Sequence, residues 1–488
     1  MITHKRFPPA GGFQPTCRGK DADMQVPALL PDPPVTDVTG YLEGGGGQGY
    51  RRAVGLGPGG TIQEIILSGL RGRGGAGFPT GRKWQSVREA LATSDADNRT
   101  FVVANGAEGE PATFKDRAIM RANPYAVIEG VAIAAFSVGA ERAFVAVKER
   151  FEPEIERLAQ AIEELTAAEA IGPVQIQVVL GPDHYLYGEE TGLLQVVEGE
   201  APLPRNVPPY MHGLFATTPT AGWAAVPASQ VSTEFPASNP TLVNNVETLA
   251  TATQVLIRGP EWHRSMGTDR SPGMVVATVV GDVLRPGVGE VELGTPLREV
   301  IERVGGGLPQ GRSVKAVLSG VSNPVVTADH LDVPCSYEGM EAIGSGLGAA
   351  GFMVFDDTTS MIEVAQMISR FLYVESCGQC PACKLGTGAI TERLDLLAGG
   401  TAVPDDLDVV AFRLETCTDG NRCYLPVEER RVVTSILQAF PEEIAAALDG
   451  QPRPVRNLLL PKIVQLSDGR AVYDEMQALK EPDWTYRA

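Results

Sequence analysis

Five cysteines, Cys377, Cys380, Cys383, Cys417 and Cys423, fall within one short region of a 488-residue chain that holds seven. Three of them stand at C-x₂-C-x₂-C spacing in "ESCGQCPACKLGT". Thiolates that close can hold three corners of an iron–sulfur cubane, and a fourth ligand must then come from elsewhere. Cys423 and Cys417, in "ETCTDGNRCYLP", are the candidates, and one of them is a bystander. A structural zinc site also takes four ligands, but it usually pairs two C-x₂-C knuckles, so three consecutive steps favour a [4Fe–4S] cluster. The clustering argues against a disulfide scaffold. Cys17 and Cys335 stand alone, and Cys335 reads as an ordinary buried apolar cysteine.

A second chemical signal is "GLRGRGGAGFPTGRKW", residues 69–84. Gly72, Gly74 and Gly77 satisfy G-x-G-x-x-G, yet a Rossmann turn follows a strand and opens a helix. Here the preceding "TIQEIILSGL" reads as helix, with Ile62, Ile65, Ile66 and Leu70 on one face, so the Rossmann reading fails by context. Alone, the glycines are equally consistent with a tight surface turn. Glycine does let backbone lie close to a ligand and turn N–H groups towards it, while Arg71, Arg73, Arg82 and Lys83 add positive charge. Three further segments are ambiguous one by one. "NGAEGEPATFKDR" places Asn105, Glu108 and Glu110 at a strand end, where ligands of α/β sheets gather, or else forms a solvated acidic loop. "YLYGEETG" puts Glu189 and Glu190 at a helix start, where capping is explanation enough. Asn244 and Asn245 in "LVNNVETLA" could equally cap a helix.

The elements that must carry these residues divide the chain. Residues 1–50, rich in Pro and Gly, read as an extended arm. From 51 to 255 helical and strand signals alternate, as in a layered α/β domain. Residues 270–330 read as a small α+β module: two strands joined by a Gly-Pro turn, a helix with Leu297, Val300, Ile301 and Val304 inward, then another strand. A connector, 331–357, leads to four amphipathic segments over 358–450 that read as a helical bundle, and 451–488 form a tail. Composition is that of a globular protein, 43% hydrophobic and 21% charged, with a net charge of −19 that suits nucleic-acid phosphates poorly. No window has the length of a membrane span and the N-terminus lacks a signal core, so a cytoplasmic protein with no direct membrane insertion is expected, with peripheral docking on a membrane complex allowed. The five histidines show no ligand spacing.

Taken in order, "SGLRGRGGAGFPTGRKW", "NGAEGEPATFKDR", "YGEETGLLQVVEG", "VNNVETLA" and "ESCGQCPACKLGT" resemble the flavin- and NADH-binding subunit of respiratory complex I, a module shared with NAD-linked hydrogenases and formate dehydrogenases. The resemblance covers roughly residues 40–445. It implies an atypical Rossmann-like α/β flavin-binding domain, then a β-grasp (SLBB) α+β domain and a C-terminal four-helix Fe–S bundle. It implies FMN on the loop Gly72–Gly75, with Arg73, Gly74, Gly77, Lys83, Asn105, Glu108, Gly109, Tyr185, Gly188, Glu189, Asn244, Asn245 and Thr248 around it. NADH or NADPH would stack on the flavin, with Phe78 against the adenine, Tyr210 alongside, and Glu110 and Glu190 near the nicotinamide end, where any catalytic role would fall to those two. Cys377, Cys380, Cys383 and Cys423 would hold the cluster. The implied activity is that of a diaphorase, moving a hydride between NAD(P)H and FMN and relaying single electrons through the cluster to a thioredoxin-like [2Fe–2S] subunit and other redox subunits.

The sequence departs from that pattern at two points. Ala107 replaces the aspartate of "NADExEP", and "VPPY", Val207 to Tyr210, replaces "KPPF" with its dinucleotide-holding lysine. These mark a divergent paralogue. They keep two alternatives in view: an FMN and [4Fe–4S] electron-transfer module with weak or no NADH binding, and a non-catalytic scaffold with a degenerate pocket.

Overall fold

The structure, a computed structural model, describes residues 29–92, 98–217 and 237–484. Residues 1–28 of the expected arm, with Cys17, and the last residues of the tail lie outside that description.

Four short apolar runs make the first sheet: β1 (Phe101–Asn105), β2 (Arg142–Lys148), β3 (Gln175–Gly181) and β4 (Thr241–Asn245). All pairings are parallel, in the order β3-β2-β1-β4. Burial on both faces explains why "FVVA" of β1 reads as a continuous apolar run. The helix Pro124–Val138 packs beneath the sheet against Val246–Arg258, and its Glu129 is fully buried. That carboxylate accepts from Tyr41 Oη at 2.6 Å and from the backbone N–H groups of Gly47 and Tyr50 at 2.7 and 2.8 Å. It thereby fastens residues 37–50, expected to be extended, onto the core. They include the helix Val38–Glu43, too short to show a period and started by Asp37, whose side chain caps Gly40 N.

The second sheet has five strands in the order β6-β5-β9-β7-β8: β5 (Met274–Gly281), β6 (Gly287–Glu292), β7 (Val314–Ser319), β8 (Val326–Thr327) and β9 (Gly351–Asp356). The helix Leu297–Gly305 lies on it, with Leu297, Val300, Ile301 and Val304 all buried as the spacing predicts. β9 falls within the stretch read as a connector, yet it is the middle strand of this sheet, parallel to β5 and antiparallel to β7. Helices Met361–Glu375, Pro381–Ala398, Pro404–Thr416 and Leu425–Ala439 then form the expected bundle, followed by Pro441–Leu448. The tail folds back as a hairpin, β10 (Ile463–Ser467) and β11 (Arg470–Tyr473), with Ile463 and Leu466 in the main core. Among the described residues, no helix is long and apolar enough to cross a membrane.

Candidate flavin, dinucleotide and cluster site

In an open parallel sheet, ligands settle outside the carboxyl ends of the strands, where the strand order reverses. With order β3-β2-β1-β4 that point lies between β1 and β4, whose last residues, Asn105 and Asn245, are register partners. The glycine loop arrives there from the side. It joins the helix Gln48–Ser68 to the helix Thr80–Ala92, so it is not a strand-to-helix turn. Its stem is closed by Gly72 N donating to Phe78 O at 2.8 Å and Thr80 N to Leu70 O at 2.9 Å. Its tip rests on β4: a Cβ on Gly74 would touch the Asn245 Cβ at 3.3 Å, and Arg73 N donates to Thr248 Oγ1 at 2.9 Å. Gly75, with φ +121°, has nothing within 4 Å of where a Cβ would stand. Bare backbone therefore faces open space beside the switch point, a cradle suited to a flavin phosphate or ring.

The remaining predicted residues separate into those turned outward and those bonded inward. Phe78 is 54% exposed and Tyr210 45%, both available for stacking. Lys83 and Glu190 form an ion pair between helix Thr80–Ala92 and the start of helix Glu190–Val197. Arg73 turns inward: its guanidinium is 1% exposed, donates to Met274 O at 2.9 Å and lies 4.0 Å from Glu247. Of this arginine only the backbone is left for a ligand. Glu108 is likewise engaged, accepting from Asp116 N at 3.0 Å and Arg117 Nε at 2.9 Å. Glu189 caps its own helix through Thr191 N and Gly192 N, so the capping reading of that carboxylate holds. Asn244 Oδ1 accepts from buried Trp84 Nε1 at 2.7 Å. Asn245 caps Glu247 N and donates to Asp116 Oδ2 at 2.8 Å. Asn105 Nδ2 donates to Gly188 O at 2.8 Å, tying the end of β1 to the "YLYGEETG" turn. Gly109 lies against that turn too, with Tyr185 O 3.4 Å from a would-be Cβ.

Beneath this floor runs a buried ionic layer that no motif in the sequence marks. Lys115 Nζ contacts Asp116 Oδ1 at 2.7 Å, Glu247 Oε2 at 2.8 Å and Asn245 Oδ1 at 3.2 Å. Burial alone would lower the Lys115 pKa, but the two carboxylates overcome it and hold the ammonium charged. Asp116 is pushed up to about 6, by burial first and despite Lys115. The only hint in sequence is the "FKDR" run beside the acidic residues quoted above. The second sheet's domain supplies Tyr337, whose Oη donates to Gly72 O at 2.7 Å and whose ring lies 4.1 Å from the Arg71 guanidinium carbon. Nothing local in the sequence marks it.

On the bundle side, Cys377 and Cys383 are buried, and Cys380 and Cys423 pack partly buried against the same core. Cys380 and Pro381 open a helix that carries Cys383 in its first turn. Burial pushes Cys383 up to about 12, and the charges of Cys380 and Cys377 add to it. Cys423 is raised by burial first, and the charges of Cys377 and Cys383 add to it. Such thiols ionise when iron binds them. Cys417 differs: it is 1% exposed, with its sulfur 3.5 Å from Pro426 O and 3.7 Å from Leu414 O. Its sulfur faces backbone carbonyls, whereas Cys423 packs against the same core as Cys377, Cys380 and Cys383.

Fold and site together define a flavin- and iron–sulfur-binding redox protein. The chain matches the families described as Nuo51 FMN-binding domain over residues 65–254, SLBB domain over 276–324, and NADH-ubiquinone oxidoreductase-F iron-sulfur binding region over 363–447. It is 35% identical over 446 residues to an NADH-quinone oxidoreductase F-type subunit of Rhizobium meliloti, covering 88% of this chain and 100% of that one. It is 32% identical to the NADP-reducing hydrogenase subunit HndC of Solidesulfovibrio fructosivorans, over 86% of this chain and 82% of that one. A crystal structure of NAD⁺-reducing [NiFe]-hydrogenase superposes with a TM-score of 0.72 at 30% identity, over 85% of this chain and 67% of that chain. The chain belongs to the family of NADH-quinone oxidoreductase F-type subunits. Its cofactors are FMN and a [4Fe–4S] cluster.

Proposed function

We propose that this subunit oxidises NADH or NADPH, or reduces the oxidised dinucleotide, at FMN held over the β1–β4 switch point. The observation that carries this reading is the convergence there of the glycine loop, the end of β1 and the Glu189–Glu190 turn, tied by Asn105 to Gly188 and by Lys83 to Glu190. When bound, FMN supplies the exchange between an electron pair and single electrons, and the cluster supplies the single-electron exit. The chain's own residues position and neutralise. Gly72, Gly74 and Gly75 present backbone, and Gly77 sets the loop's seat. Lys83, drawn from Glu190, meets phosphate or polar groups. Asn105, Asn244, Asn245 and Thr248 form the floor, with Glu108, Glu189, Gly109 and Gly188 shaping its rim. Phe78 and Tyr210 offer ring faces to the dinucleotide, Glu110 and Glu190 border its nicotinamide end, and Tyr185 lines the flavin. Cys377, Cys380, Cys383 and Cys423 hold the cluster.

The electrons need an acceptor outside this chain, and a thioredoxin-like [2Fe–2S] subunit in a heteromeric, peripherally docked complex fits that requirement. Val207, in place of a lysine, favours a second reading in which a partner feeds the cofactors and the dinucleotide binds weakly. Anaerobically purified holoprotein separates the two. Bleaching of the flavin absorbance by micromolar NADH is expected, and no bleaching alongside full flavin and iron content would establish the second reading. In the same preparation, Cys423→Ser is expected to lose the cluster spectrum and Cys417→Ser to keep it. The reverse pattern would overturn the ligand assignment.

A further inference from the structure

Two acids meet on one phenol where the three domains join. Tyr185 Oη lies 2.7 Å from Glu110 Oε2, and 3.2 and 3.1 Å from the two carboxyl oxygens of Glu428. A tyrosine hydroxyl has a single hydrogen to donate. If it goes to Glu110, the contact with Glu428 is a hydrogen bond only when Glu428 carries a proton, and if it goes to Glu428, Glu110 must carry one. In either arrangement the set is satisfied by one proton beyond the phenol's own. Glu110 is the better seat for the charge. Its other oxygen accepts from Val321 N at 2.7 Å, with Ser322 Oγ at 3.4 Å. That seat is shaped for it, because at Gly320, with φ +64°, a Cβ would overlap the Glu110 carboxylate. Glu428 is 7% exposed and has Tyr185 as its side-chain partner.

The surroundings agree. Neither acid forms an ion pair with a cation among the described residues. Burial pushes both carboxyls up, and the charge of Glu110 raises Glu428 further. From the helix Met361–Glu375, Glu375 accepts from Tyr185 N at 3.0 Å, but its charge is matched by Lys480 at 2.8 Å. From the second sheet's turn come the uncharged groups of Val321 and Ser322. On its own helix, Leu425–Ala439, Glu428 is followed by Glu429, which faces Ser369 instead. The helix N-terminus favours a charged Glu428, working against dry surroundings and a second carboxylate. On the cluster side, Glu428 is near enough to Cys423 for its charge to act on that thiol.

We propose that Glu110, Tyr185 and Glu428 form a one-proton store between the dinucleotide site and the cluster, and that Glu428, which no part of the binding pattern requires, is the positioning residue that makes the store. It rests on the site assignment given under Proposed function. Oxidation of the dinucleotide delivers two electrons and one proton, and the electrons leave singly through the cluster. Each electron resident there adds one negative charge and raises the proton affinity of the nearby ionised carboxylate. That carboxylate takes the proton left by the hydride. Glu110, the less buried of the two acids, returns it to water once the electron has passed to the partner.

The test uses holoprotein loaded with flavin and iron, and an electron-paramagnetic-resonance redox titration of the cluster at several pH values. The wild-type potential is expected to fall as pH rises, and Glu110→Gln with Glu428→Gln, which leaves no ionised carboxylate on Tyr185, should remove most of that dependence. Equal dependence in both proteins, or none in the wild type, would overturn the proposal. A second measurement needs no variant. The infrared difference spectrum on reduction of wild type should gain the carbonyl band of an un-ionised carboxylic acid, and its absence would count against the store. Flavin content and bleaching by NADH, read on the same samples, report on the site assignment separately. If bleaching fails while the pH dependence persists, the assignment falls and the store stands.

Discussion

Gly77 holds the glycine loop to the second sheet's domain. Its φ is +62°, and the ring of Tyr337 occupies the place a Cβ would take. The same tyrosine bonds Gly72 O and carries the Arg71 guanidinium on its face, while Arg71 Nε donates to Gly77 O at 2.7 Å. Gly77→Ala is therefore expected to lower stability by about 1–3 kcal/mol through strain and overlap, and to reduce flavin content. Calorimetry and the flavin-to-protein absorbance ratio check both. A variant with unchanged melting temperature and full flavin would show that the loop does not depend on this seat. Residue types at the site were legible in sequence because glycines, asparagines and carboxylates recur in order. Which of them turn inward was not, because that depends on partners far along the chain: Arg73 is claimed by Glu247 and Met274, and Asn244 by Trp84.

Between elements, the packing of helix Leu425–Ala439 on Met361–Glu375 includes one acid that should set a pH response. Glu429 is fully buried, accepts from Ser369 Oγ at 2.6 Å, and is pushed up to about 8 by burial from an ordinary value of 4.5. Because the folded value is the higher, the folded state holds the proton more tightly. The resulting stability is complete below about pH 4.5 and is lost as pH rises to about 8, at no more than ~1.4 kcal/mol per pH unit. Glu429→Gln should flatten the fall in melting temperature between about pH 5 and about pH 8, and curves that stay parallel to wild type would refute the assignment. The amphipathic helices here were legible from their apolar spacing, as was Leu297–Gly305. β9 was not, because "GFMVFD" is a short apolar run without period, and only its place between β5 and β7 identifies it. The β10–β11 hairpin carried a readable mark, Asp468-Gly469. Both residues have positive φ, as a tight hairpin turn between twisted strands demands.

Across the whole molecule, the C-terminal segment acts as a strap on all three domains. Arg456 Nη1 and Nη2 donate to Asp282 in the β5–β6 turn at 2.9 and 2.7 Å. The backbone N–H groups of Arg456 and Leu458 both donate to Glu363 of the bundle at 2.8 Å. On the flavin side, Ala112 N donates to Pro461 O at 2.7 Å and Lys462 Nζ reaches Asp183 at 2.9 Å. Asp183 also takes Lys148 and Arg150, and despite burial Lys148 and Lys462 hold its carboxyl well below the usual range. Leu460, Ile463 and Leu466 are 8%, 5% and 3% exposed, and burial of three such side chains contributes ~5–9 kcal/mol at most. Deleting residues 451–488 should therefore lower the melting temperature by many degrees. It should also open protease sites between domains, because Glu363, Asp282 and Asp183 lose a shared partner at once. Arg456→Ala with Lys462→Ala keeps the apolar burial and breaks the ionic ties. It should cost only a small part of the truncation's effect, since Asp183 keeps two cations and Arg456 lies at the surface. Differential scanning calorimetry and limited proteolysis of the two variants beside wild type measure the difference. If the double substitution destabilised as much as the truncation, the strap would be held by charge and not by its apolar side chains.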